Sequence, residues 1–253
     1  MKIGVSTLAL YPEKLENILG CLEELNVDFC EIINEYPYHQ VKSDDLDSFN
    51  IKTTIHAPLS DINLASPNQA IRKASIQQMK RSMDLALSLD AEVVVVHPGQ
   101  MPILGRDLEE AVLRYNRESL AECAVYAADC GVSMCVENMP RIDGLLFQDL
   151  DELDRLVKDI GAQITLDVGH AHNNFIPTKD MLKSSRVKHV HLSDNDGTFD
   201  QHHALGSADI DFKSLIDDLQ KMNYQGILVV EVKGAADVKP SLSYLQGIIE
   251  TSG

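Results

Sequence analysis

The sequence predicts an α/β fold, a single (β/α)8 barrel, from three observations. Eight short β-rich runs alternate with helical stretches, several of those runs are uniformly apolar, and no linker or composition shift divides the 253 residues. A uniformly apolar strand suits a sheet buried on both faces. Alternating strands and helices require right-handed crossovers in a parallel sheet. An open doubly wound sheet is the competing arrangement, but the first β-α turn, Ser6-Thr7-Leu8, has no glycine fingerprint. One barrel domain, 1–253, is therefore expected.

Lys2–Ser6 opens as a strand. Pro12 then starts a helix over Glu13–Leu25, whose Leu15, Ile18, Leu19, Leu22 and Leu25 mark one face. The strands Asp28–Ile33 and Lys52–His56 follow. Ser66-Pro67 pairs a cap with a first-turn proline ahead of a long helix to about Leu89. Strand Glu92–His97 contains the run Val93–Val96 and leads to a helix over Arg106–Asp129. The remaining strands are Val132–Glu137, Gln163–Asp167, Lys188–Leu192 and Gly226–Val232, with helices at Leu150–Ile160, Phe212–Met222 and Ser241–Ile249.

Composition narrows the function. Lys plus Arg number 22 against 39 Asp plus Glu, a formal charge of −17 that disfavours nucleic acid as a partner. Cys21, Cys30, Cys123, Cys130 and Cys135 form an odd set without a C-x-x-C pair, which predicts reduced thiols and a cytoplasmic location. The N-terminal residues lack an apolar segment of signal-peptide length, and the longest apolar run, Val93–Val96, is too short to span a bilayer. No membrane association is expected.

The polar residues at the strand ends point to a metal. Strand three closes on His56, strand four on His97 and strand five on Glu137. Strand six closes on Asp167 with His170 just beyond, strand seven carries His191, and strand eight carries Glu231. In a barrel all C-terminal strand ends share one rim, where catalytic sites are built. Several carboxylates together repel one another; a divalent cation resolves the repulsion and takes neutral imidazole as a ligand. Mixed nitrogen and oxygen donors suit zinc, manganese, iron or cobalt. In the loop after strand seven, Asp200 and His202 straddle one residue and can face that rim together. His189 points the same way as His191 one layer deeper, and His39 is expected at the surface.

In this order the motifs HAP (His56), INLAS (Ile62–Ser66), HPG (His97), VEN (Glu137), LDVGH (Asp167, His170), HLSDN (His191), DQHHALG (Asp200, His202) and VVEVKG (Glu231) resemble the xylose isomerase-like barrel superfamily. That superfamily joins sugar isomerases and epimerases to the endonuclease IV class of abasic-site nucleases. Resemblance to the isomerases implies one cation, zinc or manganese, held by Glu137, Asp167, His191 and Glu231, with Glu137 and Glu231 as the catalytic proton-transfer pair. Resemblance to the nucleases implies three zinc ions. His56, His97 and Glu137 would hold one; Glu137, Asp167, His191 and Glu231 the second; His170, Asp200 and His202 the third. The nuclease's lysine- and glycine-bearing loop after strand seven is shortened here.

Two chemistries follow as expectations. The first is a metal-dependent isomerase or epimerase of a small sugar or sugar phosphate, moving a proton next to a carbonyl. Arg141 and Lys233 are its candidate substrate-binding cations, because guanidinium and ammonium groups pair with anionic oxygens. The alternative is a zinc-dependent phosphodiesterase, either an abasic-site endonuclease or a hydrolase of small phosphoesters.

Overall fold

Side chains on a strand alternate between two faces, so in a closed sheet every second residue enters the barrel and its neighbours meet the helices. The computed structural model, which describes residues 1–251, contains such a barrel. Its strands are β1 (Lys2–Ser6), β2 (Phe29–Ile33), β3 (Lys52–His56), β4 (Val93–Val96), β5 (Ser133–Glu137), β6 (Gln163–Asp167), β7 (Val187–Leu192) and β8 (Ile227–Val230). All neighbours are parallel and in sequence order, and β8 closes onto β1. On β4, Val94 and Val96 join the large core shared with the helices, whereas Val93 and Val95 cluster with Cys135 of β5. Ile227 and Val229 of β8 likewise pack on Phe29 of β2.

The outer layer comprises α1 (Leu15–Glu24), α2 (Gln69–Ser88), α3 (Glu109–Cys130), α4 (Leu150–Ile160), α5 (Val168–Asn173), α6 (Thr178–Met181), α7 (Phe212–Lys221) and α8 (Ala235–Thr251). Helix α4 shows how locally these elements are written. The Asp149 side chain accepts from Glu152 N at 2.9 Å, Gly161 ends the helix at φ 76°, and Leu153, Leu156 and Val157 are buried between. Each such buried aliphatic contributes about 1.5–3 kcal/mol.

Several boundaries differ from the sequence expectation. Helix α2 is capped by Asn68, whose side chain accepts from Ala70 N, rather than by Ser66. Residues Ile103–Leu108 form a 3-10 turn before α3. Helix α8 begins at Ala235, ahead of the expected Ser241, and runs through Pro240, which lacks the N–H for one i→i−4 bond. The β2–β3 connection contains only a 3-10 turn, Ser43–Asp45. His97 and Glu231 lie just beyond the strands expected to contain them. All five cysteines are unpaired, with Cys30, Cys123 and Cys135 buried. No helix among the described residues is long and apolar enough to cross a membrane.

Candidate metal centre

Strand register lifts the polar residues to one layer. The alternating face that carries Cys135 carries Glu137 two residues later, and on β6 Thr165 is followed by Asp167. Asp167 pairs directly with His191 across β6–β7, and His191 with Val229 across β7–β8, so Glu231 arrives one step above.

Donor atoms of Glu137, Asp167, His191 and Glu231 all lie within 4.8 Å of one another. His191 Nδ1 is 3.0 Å from Glu231 Oε2, 3.2 Å from Glu137 Oε1 and 3.8 Å from Asp167 Oδ2. None of the four is more than 5% exposed. Burial opposes the charge on Glu137, yet the His191 and His97 imidazoles hold its carboxyl well below the usual range. Burial raises Asp167 to about 6, with Glu137 and Asp200 adding to the rise against the pull of His170. Burial would lower His191, but Glu31, Glu231 and Glu137 together raise it well above the ordinary histidine value.

Two oxygens test whether these residues suit a cation. Glu137 Oε2 and Asp167 Oδ2 are buried with no hydrogen-bond partner, a costly state for a carboxylate. Three carboxylates around one imidazole, with bare oxygens left over, fit a divalent cation.

Two further groups flank the four. Glu137 Oε2 is 3.1 Å from His97 Nε2 and 3.4 Å from His56 Nε2. On the other side, Asp200 Oδ2 is 3.0 Å from His202 Nε2 and 3.2 Å from His170 Nε2. The orientation of three of these rings is set by backbone. His56 Nδ1 lies 2.7 Å from Ala57 O, His170 Nδ1 2.8 Å from Asn138 O, and His202 Nδ1 2.7 Å from Glu231 O. A carbonyl only accepts, so each Nδ1 carries the proton and each Nε2 is turned to the centre. Burial works against protonation, but nearby carboxylates raise His56 to about 9, His170 to about 10 and His202 to about 9. Burial dominates at His97 and lowers it.

The stretch Leu166–His170 is shaped for this role. Asp167 caps α5, accepting from His170 N at 2.6 Å, so strand end and helix start are one residue apart. A Cβ on Gly169 would stand 2.6 Å from Ser193 Oγ, so only glycine lets α5 approach β7 this closely.

The nine residues expected as ligands thus gather at one rim; the two expected substrate cations stand apart. Arg141 is exposed, its Nε donates to Asn173 O at 3.0 Å, and its guanidinium lies 4.4 Å from the Phe175 ring centroid. Lys233 is also exposed, and its backbone N donates to His202 O. No hydrogen bond or ion pair among the described residues joins either charged group to the cluster. Beside the centre a cavity of about 350 Å3 opens between His97, Asn63 and Gln100 and the apolar Leu59, Ile62 and Leu145.

Sequence reasoning passed over Glu31. This residue sits within β2, fully buried, 2.7 Å from His189 Nε2 and 2.8 Å from His191 Nε2. The available signal was a lone carboxylate in the run Phe29-Cys30-Glu31-Ile32-Ile33, since such a charge enters a core strand only when paired. His189 lies below His191 as expected, and His39 is exposed.

Known proteins resemble this chain along most of its length. The family described as Xylose isomerase-like TIM barrel matches residues 16–248. The uncharacterised protein MJ1311 of Methanocaldococcus jannaschii is 33% identical over 99% of this chain and 90% of its own length. A probable endonuclease 4 of Mycobacterium leprae (strain Br4923) is 28% identical over 69% of this chain and 71% of its own. The crystal structure of a D-tagatose 3-epimerase-like protein superposes with a TM-score of 0.91 at 32% identity, covering 100% of this chain and 98% of that one. The chain belongs to the xylose isomerase-like TIM barrel family.

Proposed function

We propose that the protein is a divalent-metal-dependent epimerase or isomerase acting on a small sugar or sugar phosphate. The observation that carries this reading is the convergence of Glu137, Asp167, His191 and Glu231 within 4.8 Å. The likeness to a D-tagatose 3-epimerase-like protein supports it. A cation held by these four residues, zinc or manganese, would supply stabilisation of negative charge developing on substrate oxygens.

The chain's own groups supply the proton transfer. Glu137 and Glu231 arrive from β5 and from the end of β8, and both are held below their ordinary range against the effect of burial, chiefly by His191. Each is therefore ionised and able to accept a proton from carbon. Epimerisation needs one carboxylate to remove the proton from one face while the other, having taken a proton from water, returns that proton to the opposite face of the same carbon. The cavity beside His97 offers room for the rest of a small polyol, with Asn63 and Gln100 as polar partners.

A second reading, a zinc-dependent phosphoester hydrolase, is favoured by one observation: His56 with His97, and His170 with Asp200 and His202, flank the central four with cation-binding geometry of their own. The formal charge of −17 argues against DNA as its substrate. The experiment that separates the two uses zinc- or manganese-loaded protein with a panel of ketohexoses and their phosphates in deuterium oxide, alongside an abasic-site duplex and a small phosphodiester. Deuterium at the carbon next to a sugar carbonyl supports the epimerase. Hydrolysis of either phosphodiester without sugar exchange supports the alternative.

A further inference from the structure

We propose that Glu31 is a positioning residue for this centre: its buried carboxylate keeps the His191 proton on Nε2 and leaves the Nδ1 lone pair for a cation shared with Glu137, Asp167 and Glu231. This inference rests on the reading that those four residues hold a cation, and adds a residue from the layer beneath them.

The three other ring orientations described above are set by backbone carbonyls at Nδ1. His191 is turned the opposite way, with Nδ1 toward the centre and Nε2 toward Glu31 Oε1 at 2.8 Å. Among the described residues no backbone carbonyl bonds either nitrogen of His191; side-chain carboxylates face both, Glu137 and Glu231 at Nδ1 and Glu31 at Nε2. An ionised carboxylate only accepts, so in the cation-free chain either nitrogen can donate; once a cation takes the Nδ1 lone pair, the single proton lies on Nε2, where Glu31 accepts it. Contact between Nε2 and Oε1 is a close charge pairing rather than an aligned hydrogen bond, and both atoms lack any other partner.

Glu31 is itself held in place. Its Oε2 accepts from the Thr54 hydroxyl at 2.9 Å and meets His189 Nε2 at 2.7 Å. Glu31, His189 and His191 are each 0% exposed. A carboxylate so deep needs positive or donor neighbours, and here two imidazoles and a hydroxyl supply them. A carboxylate that orients a ligating histidine through its remote nitrogen typically changes metal affinity by 10–100-fold when removed.

The test uses full-length protein freed of metal, then loaded with cobalt(II) or zinc. Glu31→Gln keeps the size of the side chain and removes its charge; Thr54→Val removes a hydrogen bond to Glu31 and leaves the charge. Cobalt affinity is read by chelator competition and visible absorption. The His191 tautomer is read in zinc-loaded, 15N-histidine-labelled protein, with the resonance identified by its loss in His191→Gln. The expected result is an Nε2–H tautomer in the wild type. Glu31→Gln should bind cobalt about 10–100-fold more weakly with an altered spectrum, while Thr54→Val changes affinity far less. An Nδ1–H tautomer in the zinc-loaded wild type overturns the proposal, and this measurement stands even if Glu31→Gln does not fold. Wild-type affinity and spectrum in a folded Glu31→Gln protein also overturn it, as does loss of an ion in Glu31→Gln that Asp167→Asn retains, which would make Glu31 a ligand. An unchanged cobalt spectrum in Asp167→Asn would instead overturn the four-residue reading beneath it.

Discussion

Asn138 and Asp167 hold each other through a reciprocal pair of bonds: Asn138 Nδ2 donates to Asp167 O at 2.9 Å, and Asp167 N donates to Asn138 Oδ1 at 2.8 Å. Both residues are fully buried, so the amide of Asn138 fixes the backbone from which the Asp167 carboxylate projects. Asn138→Ala should therefore orphan two buried backbone groups, at about 1–3 kcal/mol each, and weaken metal binding. Denaturant unfolding and metal titration of the variant check both effects. A variant as stable as the wild type would show that the pair contributes nothing.

Glu231→Gln removes a proton acceptor and leaves an amide oxygen in its place. Exchange of solvent hydrogen into a sugar substrate should fall about 100–10,000-fold while the bound metal is largely kept. Mass spectrometry of the sugar and elemental analysis of the protein read the two outcomes. Unchanged exchange would remove Glu231 from the proton-transfer pair.

Metal uptake should release protons. His56, His170 and His202 are raised to about 9, about 10 and about 9 against the effect of burial, by Glu137 for the first, by Asp167 and Asp200 for the second, and by Asp200 and Glu231 for the third. A raised histidine keeps its proton at pH 7 in the cation-free protein, whereas a ligating nitrogen must be bare. Affinity for ions held by these rings should then fall as pH is lowered from 9 to 6, by about tenfold per pH unit for each proton displaced. Calorimetry in buffers of different ionisation enthalpy measures the proton count. Zero release on zinc binding would mean that these rings do not ligate it.

Much of the barrel was legible because its strands are short apolar runs and its chemistry sits at their ends. Val93–Val96 needs only its four valines to be read as a buried strand, and His97 follows at once. The gathering of the residues expected as ligands was legible for the same reason: strand ends converge on one rim whatever the loops do. Glu31 was hidden because it lies inside its strand, where the period-two pattern gives direction but not partners; only the closed sheet brings β2 to the His189 and His191 rings of β7. The short helix α5 was hidden by the tightness of the turn, since Asp167 serves at once as strand end and helix cap. Arg141 was legible as a candidate cation for anionic substrate oxygens, but its partners Asn173 and Phe175 were not, since neither is its neighbour in sequence.

The most direct measurement is elemental analysis of the protein after dialysis against zinc or manganese and gel filtration, with Asp167→Asn beside it. At least one ion per chain should remain on the wild type, and the variant should lose one. A wild-type chain that retains no divalent ion would contradict the idea that these buried carboxylates and imidazoles were gathered around a cation.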